Sequence, residues 1–208
     1  MKTLIISGLV LLLGACSSST RVVKVQDLSE TADAPYHKVL VIALFKTFEP
    51  RMYLEDEIVK DLSRRGVEAV ASTSMMDTRT PVVRKTFVDM IDKVGADAVL
   101  VTHLVSLEST GKKVDMNPEV TRNLWPTYYY NVWEYELTEY VEPQGLEFQH
   151  SLVLATEVYS ASTREPVWAI QTHSEIRQDT DHLQDYSIYV NEAGTIVGSL
   201  DRDGLVKP

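Results

Sequence analysis

Cysteine is almost missing from this chain: Cys16 is the only one among 208 residues. No disulfide can form within the molecule, and a metal site built from several thiolates is excluded. Glycine is sparse too, nine residues in all, and none stands in Phe45-Lys46-Thr47-Phe48-Glu49-Pro50, which joins the first apolar strand to the first helix. A phosphate cradle needs glycine there, so that backbone N–H groups can turn toward the anion. Gly111-Lys112 comes no closer to a nucleotide loop, with Lys113 where Ser or Thr is required and Ser106 at the place of the first glycine. Basic residues are outnumbered, 20 against 30 acidic, for a formal charge of −10. Pairs such as Arg64-Arg65 and Lys112-Lys113 form no cluster that offsets it, so nucleic acid is excluded as a partner. The five histidines, His37, His103, His150, His173 and His182, include no pair at the four-residue spacing of a helical zinc site. No Gly-x-Ser-x-Gly elbow is present. These gaps leave no catalytic, cofactor-binding or metal-ligating set to assign.

What is present begins with Cys16. It closes Leu13-Gly14-Ala15-Cys16, after the basic residue Lys2 and the apolar stretch from Leu4 to Leu13. That stretch is too short to cross a bilayer as a helix and fits the apolar part of a secretory signal. Together these residues resemble the lipobox of bacterial lipoproteins. The resemblance implies removal of residues 1–15, a covalent lipid on Cys16, and a membrane anchor made of acyl chains. Ser17 follows where Asp holds such proteins at the inner membrane, which implies the outer membrane with the protein facing the periplasm. Residues 16–36 then read as lipidated cysteine and tether, although Val22, Val23 and Val25 could add a short strand.

Residues 37–208 read as a single α/β domain. Val39 to Phe45 is a continuous apolar run suited to a strand buried on both faces. Leu54, Ile58 and Leu62 recur at four-residue spacing in a helix that Gly66 closes. Val67 to Ala71 gives a second strand. Thr80 and Pro81 then read as N-cap and first residue of a helix whose apolar face is Val83, Phe87, Met90, Ile91 and Val94, ended by Gly95. Ala98 to Val101 opens a third buried strand. Leu152 to Tyr159 and Val167 to Ile176 flank a turn over Ser160 to Pro166 and predict a hairpin. Leu183, Tyr186, Val190, Ala193, Val197 and Leu200 mark a closing amphipathic helix, capped by Thr180 or Asp181, with Gly194 and Gly198 allowing close approach to the sheet. The expected architecture is a mixed sheet: two βαβ-type crossovers, then antiparallel strands, then a C-terminal helix packed on the sheet.

The densest chemical signal is aromatic. Trp125, Tyr128, Tyr129, Tyr130, Trp133 and Tyr135 crowd one stretch, read as a strand over residues 128–137. Tyr and Trp dominate binding hot spots, so these six residues are the candidate interaction surface. Tyrosines that merely line a sheet would give the same composition.

The run of elements, with Gly95-Ala96-Asp97-Ala98-Val99-Leu100-Val101 entering the third strand and Val158-Tyr159-Ser160-Ala161-Ser162-Thr163-Arg164-Glu165-Pro166-Val167-Trp168 as the late hairpin, resembles a group of bacterial lipoproteins. That group shares the fold of the TolB amino-terminal domain and includes CsgG- and LpoB-like lipoproteins. The resemblance implies no catalytic motif and no cofactor. It points to a non-catalytic accessory module of an envelope complex, with an envelope protein as partner. Two alternatives stand beside it: a periplasmic domain that binds a glycan or small molecule, hydrolytic or not, and a structural homo-oligomer. The lipid reading has a direct test: Cys16→Ala is expected to move the expressed protein from the detergent-rich to the aqueous phase of a Triton X-114 extract, and unchanged partitioning would remove the anchor.

Overall fold

The computed structural model describes residues 19–28, 33–80, 83–111, 148–178 and 186–207. Within them the chain runs β1 (Ser19–Asp27), β2 (Lys38–Leu44), α1 (Phe48–Arg64), β3 (Glu68–Ala71), a 3₁₀ turn (Ser72–Met75), α2 (Arg84–Val94), β4 (Ala98–Gly111), β5 (Phe148–Ser160), β6 (Pro166–Gln178) and α3 (Ser187–Arg202). The strands form a mixed six-stranded sheet in the order β1-β6-β5-β4-β2-β3. β2 pairs in parallel with β3 and with β4, and each crossover carries a helix. The remaining pairs are antiparallel.

The layers follow from the apolar runs. Val39, Val41, Ala43, Leu100, Leu154, Val158, Trp168 and Ile170 face α1 and α3, meeting Leu54, Ile58, Leu62, Ile196, Val197 and Leu200. Leu40, Ile42, Val99, Val101 and Tyr159 face the other way, against Phe87 and Met90 of α2. β2 is thus covered on both sides, which is why its sequence does not alternate. Each leucine fully buried in this way contributes about 2 kcal/mol. α1 ends as its sequence predicts: Gly66 adopts φ +81°, while Gly66 and Val67 donate their N–H groups to Ser63 and Leu62.

Several local expectations are replaced. Within residues 16–36 the short strand that Val22, Val23 and Val25 allowed is present and longer, Ser19–Asp27, paired to β6 with Val23 as the extra residue of a bulge. Thr80 does not cap α2. Its hydroxyl donates to Asp77 Oδ1 at 3.0 Å and accepts from the Asp77 N–H, closing a turn of its own. α2 therefore starts at Arg84, leaving Val83 exposed at the cap position. The strand opened by Ala98 to Val101 runs on to Gly111 because β5 pairs with it along that whole length. The inward stripe of α3 is Ile188, Glu192, Ala193, Ile196, Val197, Ser199 and Leu200, while Tyr186 and Val190 are exposed. Neither glycine of α3 serves a close approach to the sheet. A β-carbon on Gly198 would meet nothing within 4 Å, and one on Gly194 would meet only Asp61 of α1 at 3.7 Å. The strand read over residues 128–137 and the caps read at Thr180 or Asp181 lie outside the described residues.

Four glutamates are buried among the described residues: Glu57, taken up below, and three whose carboxyl groups burial raises. Glu55 lies against the β2–β3 edge, Glu192 under α3, and Glu157 on β5 accepts the hydroxyl of Tyr159. Burial raises all three above the ordinary carboxylate range, Glu157 to about 7 despite its hydrogen bond from Tyr159. A folded value above the unfolded one means that the protonated acid favours folding. The contribution of Glu157 is complete below about pH 4.5 and is lost as pH rises through about 7. The expected loss across that window is roughly 3 kcal/mol. Urea unfolding of the wild-type protein and of Glu157→Gln across this range checks it: the variant should have the flatter profile, and identical profiles would refute the assignment.

Candidate functional site

An exposed side chain held from several directions lies where the start of α3 meets α1. Tyr186 is 41% exposed, yet its ring is held on three sides. Tyr53 of α1 meets it edge-on with ring centres 5.5 Å apart, Tyr189 lies 6.1 Å away, and Tyr53 and Tyr189 are themselves 5.5 Å apart. Tyr189 packs on the core, so the trio grows outward from a fixed base. The helices bring the three together because Tyr186 and Tyr189 stand one turn apart on α3, with the first half of α1 alongside.

The polar side of the cluster fixes the ring further. Tyr186 donates its hydroxyl to Glu57 Oε1 at 2.5 Å, and Lys60 Nζ donates to the same oxygen at 2.5 Å. Lys60 also reaches the Tyr186 hydroxyl at 3.3 Å and stands 5.9 Å from its ring centre. Burial alone would raise the Glu57 carboxyl, but the bonds from Lys60 and Tyr186 outweigh it and hold the group below the ordinary range. The hydrogen bond to Glu57 is the main reason why Lys60 and Tyr186 are both raised. At neutral pH the site is an ionised carboxylate bridged to an ammonium and a phenol, with Val190 exposed beside them.

A second polar arrangement crosses the face of the sheet away from α3. Arg21 Nη2 lies 3.1 Å from His173 Nδ1, and His173 Nε2 lies 2.8 Å from Ser151 Oγ, linking β1, β6 and β5. A guanidinium can only donate, so Nδ1 carries the lone pair and Nε2–H donates to the serine. A base that activates serine needs the opposite arrangement, with its lone pair on the hydroxyl and a carboxylate behind it. This row ties strands together and does not activate Ser151. His150 and His173, which strand pairing could have brought face to face, lie opposite Ile176 and Val153 respectively and so on opposite faces. Among the described residues no group of three or more His, Cys, Asp or Glu side chains is placed to hold a metal ion, and no helix is long and apolar enough to cross a membrane.

Cys16 and the candidate surface of Trp125, Tyr128, Tyr129, Tyr130, Trp133 and Tyr135 lie outside the described residues. The Tyr53–Tyr186–Tyr189 cluster was not legible as a site in the sequence. Tyr53 stands 133 positions before Tyr186, and Tyr186 read as part of a buried stripe. The one local signal was the three-residue spacing of Tyr186 and Tyr189 beside an exposed Val190.

No protein-family model matches the sequence, and no curated protein matches it. Solved structures do. The chain is similar to the PelC dodecamer from Paraburkholderia phytofirmans, at 12% identity over 86% of this chain and 96% of that one, with a TM-score of 0.43. It is similar to a minor lipoprotein from Acinetobacter baumannii at 12% identity, over 83% and 98% of the two chains, with a TM-score of 0.37. A lipoprotein from Neisseria meningitidis matches at 11% identity, over 79% and 98%, with a TM-score of 0.38. Bacterial lipoproteins are thus among its structural neighbours.

The geometry of the cluster predicts how its parts couple. Tyr186→Phe keeps the ring and removes the bond to Glu57. Because the site is partly exposed, the expected loss in urea unfolding is about 1 kcal/mol. In a double-mutant cycle with Glu57→Gln most of that loss should appear as coupling, and strict additivity would mean that the hydroxyl contributes nothing through Glu57.

Proposed function

We propose that this protein is a lipid-anchored envelope lipoprotein, held at the outer membrane through Cys16, that acts as a non-catalytic interaction module of an envelope complex. The TolB-like grouping with CsgG- and LpoB-like lipoproteins belongs to the same proposal. The anchor part rests on the lipobox residues Leu13 to Cys16.

One observation carries the binding part: Tyr186 is presented to solvent and yet immobilised by Tyr53, Tyr189, Glu57 and Lys60. Burying a flexible side chain in an interface costs rotamer entropy, about 1 kcal/mol each. A ring already fixed in the free protein avoids that cost and supplies apolar area with a polar tip, as hot-spot tyrosines do. The partner that suits it is a protein surface with a complementary apolar recess. A formal charge of −10 favours a partner that is not itself strongly acidic.

Photocrosslinking in living cells tests this reading, with probes at positions 186 and 129 in turn and mass spectrometry of the adducts. Recovery of one envelope protein from the probe at 186, lost when Tyr53→Ala loosens the cluster, is the expected result. If the folded, lipidated protein gives no protein adduct from either position, the module reading fails and the glycan- or small-molecule-binding alternative takes its place.

A further inference from the structure

The topology fixes which end of the sheet lies beside the candidate anchor. β1 begins at Ser19, three residues after Cys16, a span of about 10 Å even when fully extended. Ser19 stands opposite Glu175, Glu175 opposite Ser151, and Ser151 opposite Glu108. The start of β1, the end of β6, the start of β5 and the end of β4 therefore form one end of the sheet. Gly111 pairs with Phe148 at that same end, so the connection through residues 112–147 departs from it and returns to it. The opposite end holds Asp27, the Ser160–Pro166 hairpin, Ala98 and, across β2, Glu68. Along β4 alone, Glu108 and Ala98 are about 33 Å apart, three times the reach of the spacer.

We propose that the Ser19–Glu108–Glu175 end of the sheet docks against phospholipid headgroups and that the hairpin around Thr163 points away from the membrane. The proposal rests on the reading of Cys16 as the acylated anchor. It adds an orientation: the short spacer and the paired β1 make the sheet stand on its end, rather than swing on a long leash. The attachment points of the Trp125–Tyr135 stretch then lie at the membrane-facing end, and the hairpin end is left for contacts deeper in the periplasm.

The test uses the full lipidated protein in vesicles of phosphatidylethanolamine and phosphatidylglycerol that carry a nitroxide headgroup lipid. With Cys16 acylated, a single introduced cysteine is a unique thiol for a fluorophore. Ser19→Cys reports the surface whatever the tilt, Glu108→Cys reports the proposed docking end, and Thr163→Cys and Glu68→Cys report the far end. Quenching at position 108 within about twofold of that at 19, and at least fivefold weaker at 163 and 68, is the expected pattern. Equal quenching at all four positions, or stronger quenching at 163 than at 108, overturns the orientation while leaving the anchor intact. Failure of the protein to float with the vesicles, or of position 19 to be quenched at all, refutes the anchor reading and this proposal with it.

Discussion

The fold depends on a pair of helix side chains that complete an unfinished strand. β3 stops at Ala71, opposite Val41, two residues short of Ala43 on β2. Glu55 Oε1 accepts the Ala43 N–H at 2.8 Å, and Arg51 Nε donates to the Ala43 carbonyl at 2.9 Å. The same carboxylate accepts the Ser72 hydroxyl and both the N–H and the hydroxyl of Thr73, so it also sets the turn that follows β3. Glu55 and Arg51 are buried with the strand they serve. Burial lowers the Arg51 guanidinium and raises the Glu55 carboxyl; the charge of Glu55 opposes the first shift and the hydrogen bonds to Glu55 oppose the second. Without them, backbone groups in the middle of the molecule would have neither protein nor water, at a cost of about 1–3 kcal/mol each.

The same device recurs on the other side of the helix layer. Glu192 of α3 accepts the Thr172 hydroxyl at 2.7 Å and the Ser174 hydroxyl at 2.5 Å, and Ser174 in turn bonds Thr20 of β1. One carboxylate thereby joins the last helix to its strand and to the edge strand beyond. Hydrophobic burial holds the layers together without direction. These two acids fix where each helix sits along the sheet, because hydroxyls and amides can meet them in one position only. The tyrosine cluster inherits its geometry from this arrangement, since it forms only where α1 and α3 run side by side at one depth.

Much of the architecture could be read from the sequence because it rests on local signals. The unbroken run at Val39 to Leu44, the four-residue spacing of Leu54, Ile58 and Leu62, and the glycines at 66 and 95 each specify an element within a few residues. The errors come from competition that a local pattern does not contain. Thr80 was an available cap until Asp77 claimed its hydroxyl. The inner face of α3 was misread because a buried glutamate looks polar, although Ser174 and Thr172 are there to receive it. β1 could be read only as a strand that valines permit, since its partner, β6, lies some 150 positions away. The tyrosine cluster was hidden for the same reason: its residues come from two helices far apart in the chain, and no spacing rule joins Tyr53 to Tyr186.

The placement of β1 has a consequence for the order of events in the life of the molecule. Among the described residues its strand partner is β6, and Tyr36, just ahead of β2, bridges to Val206 after α3. The strand that opens the sheet is therefore closed by residues made well after it. Emerging from a ribosome or crossing a membrane in chain order, β2, α1 and β3 can associate early. β1 must wait, unpaired, for β6. Closure across so long a loop is slow compared with local assembly. The pairing of β1 with β6 is then a late step in folding, and until it is made the valines of β1 are open to pairing with other chains.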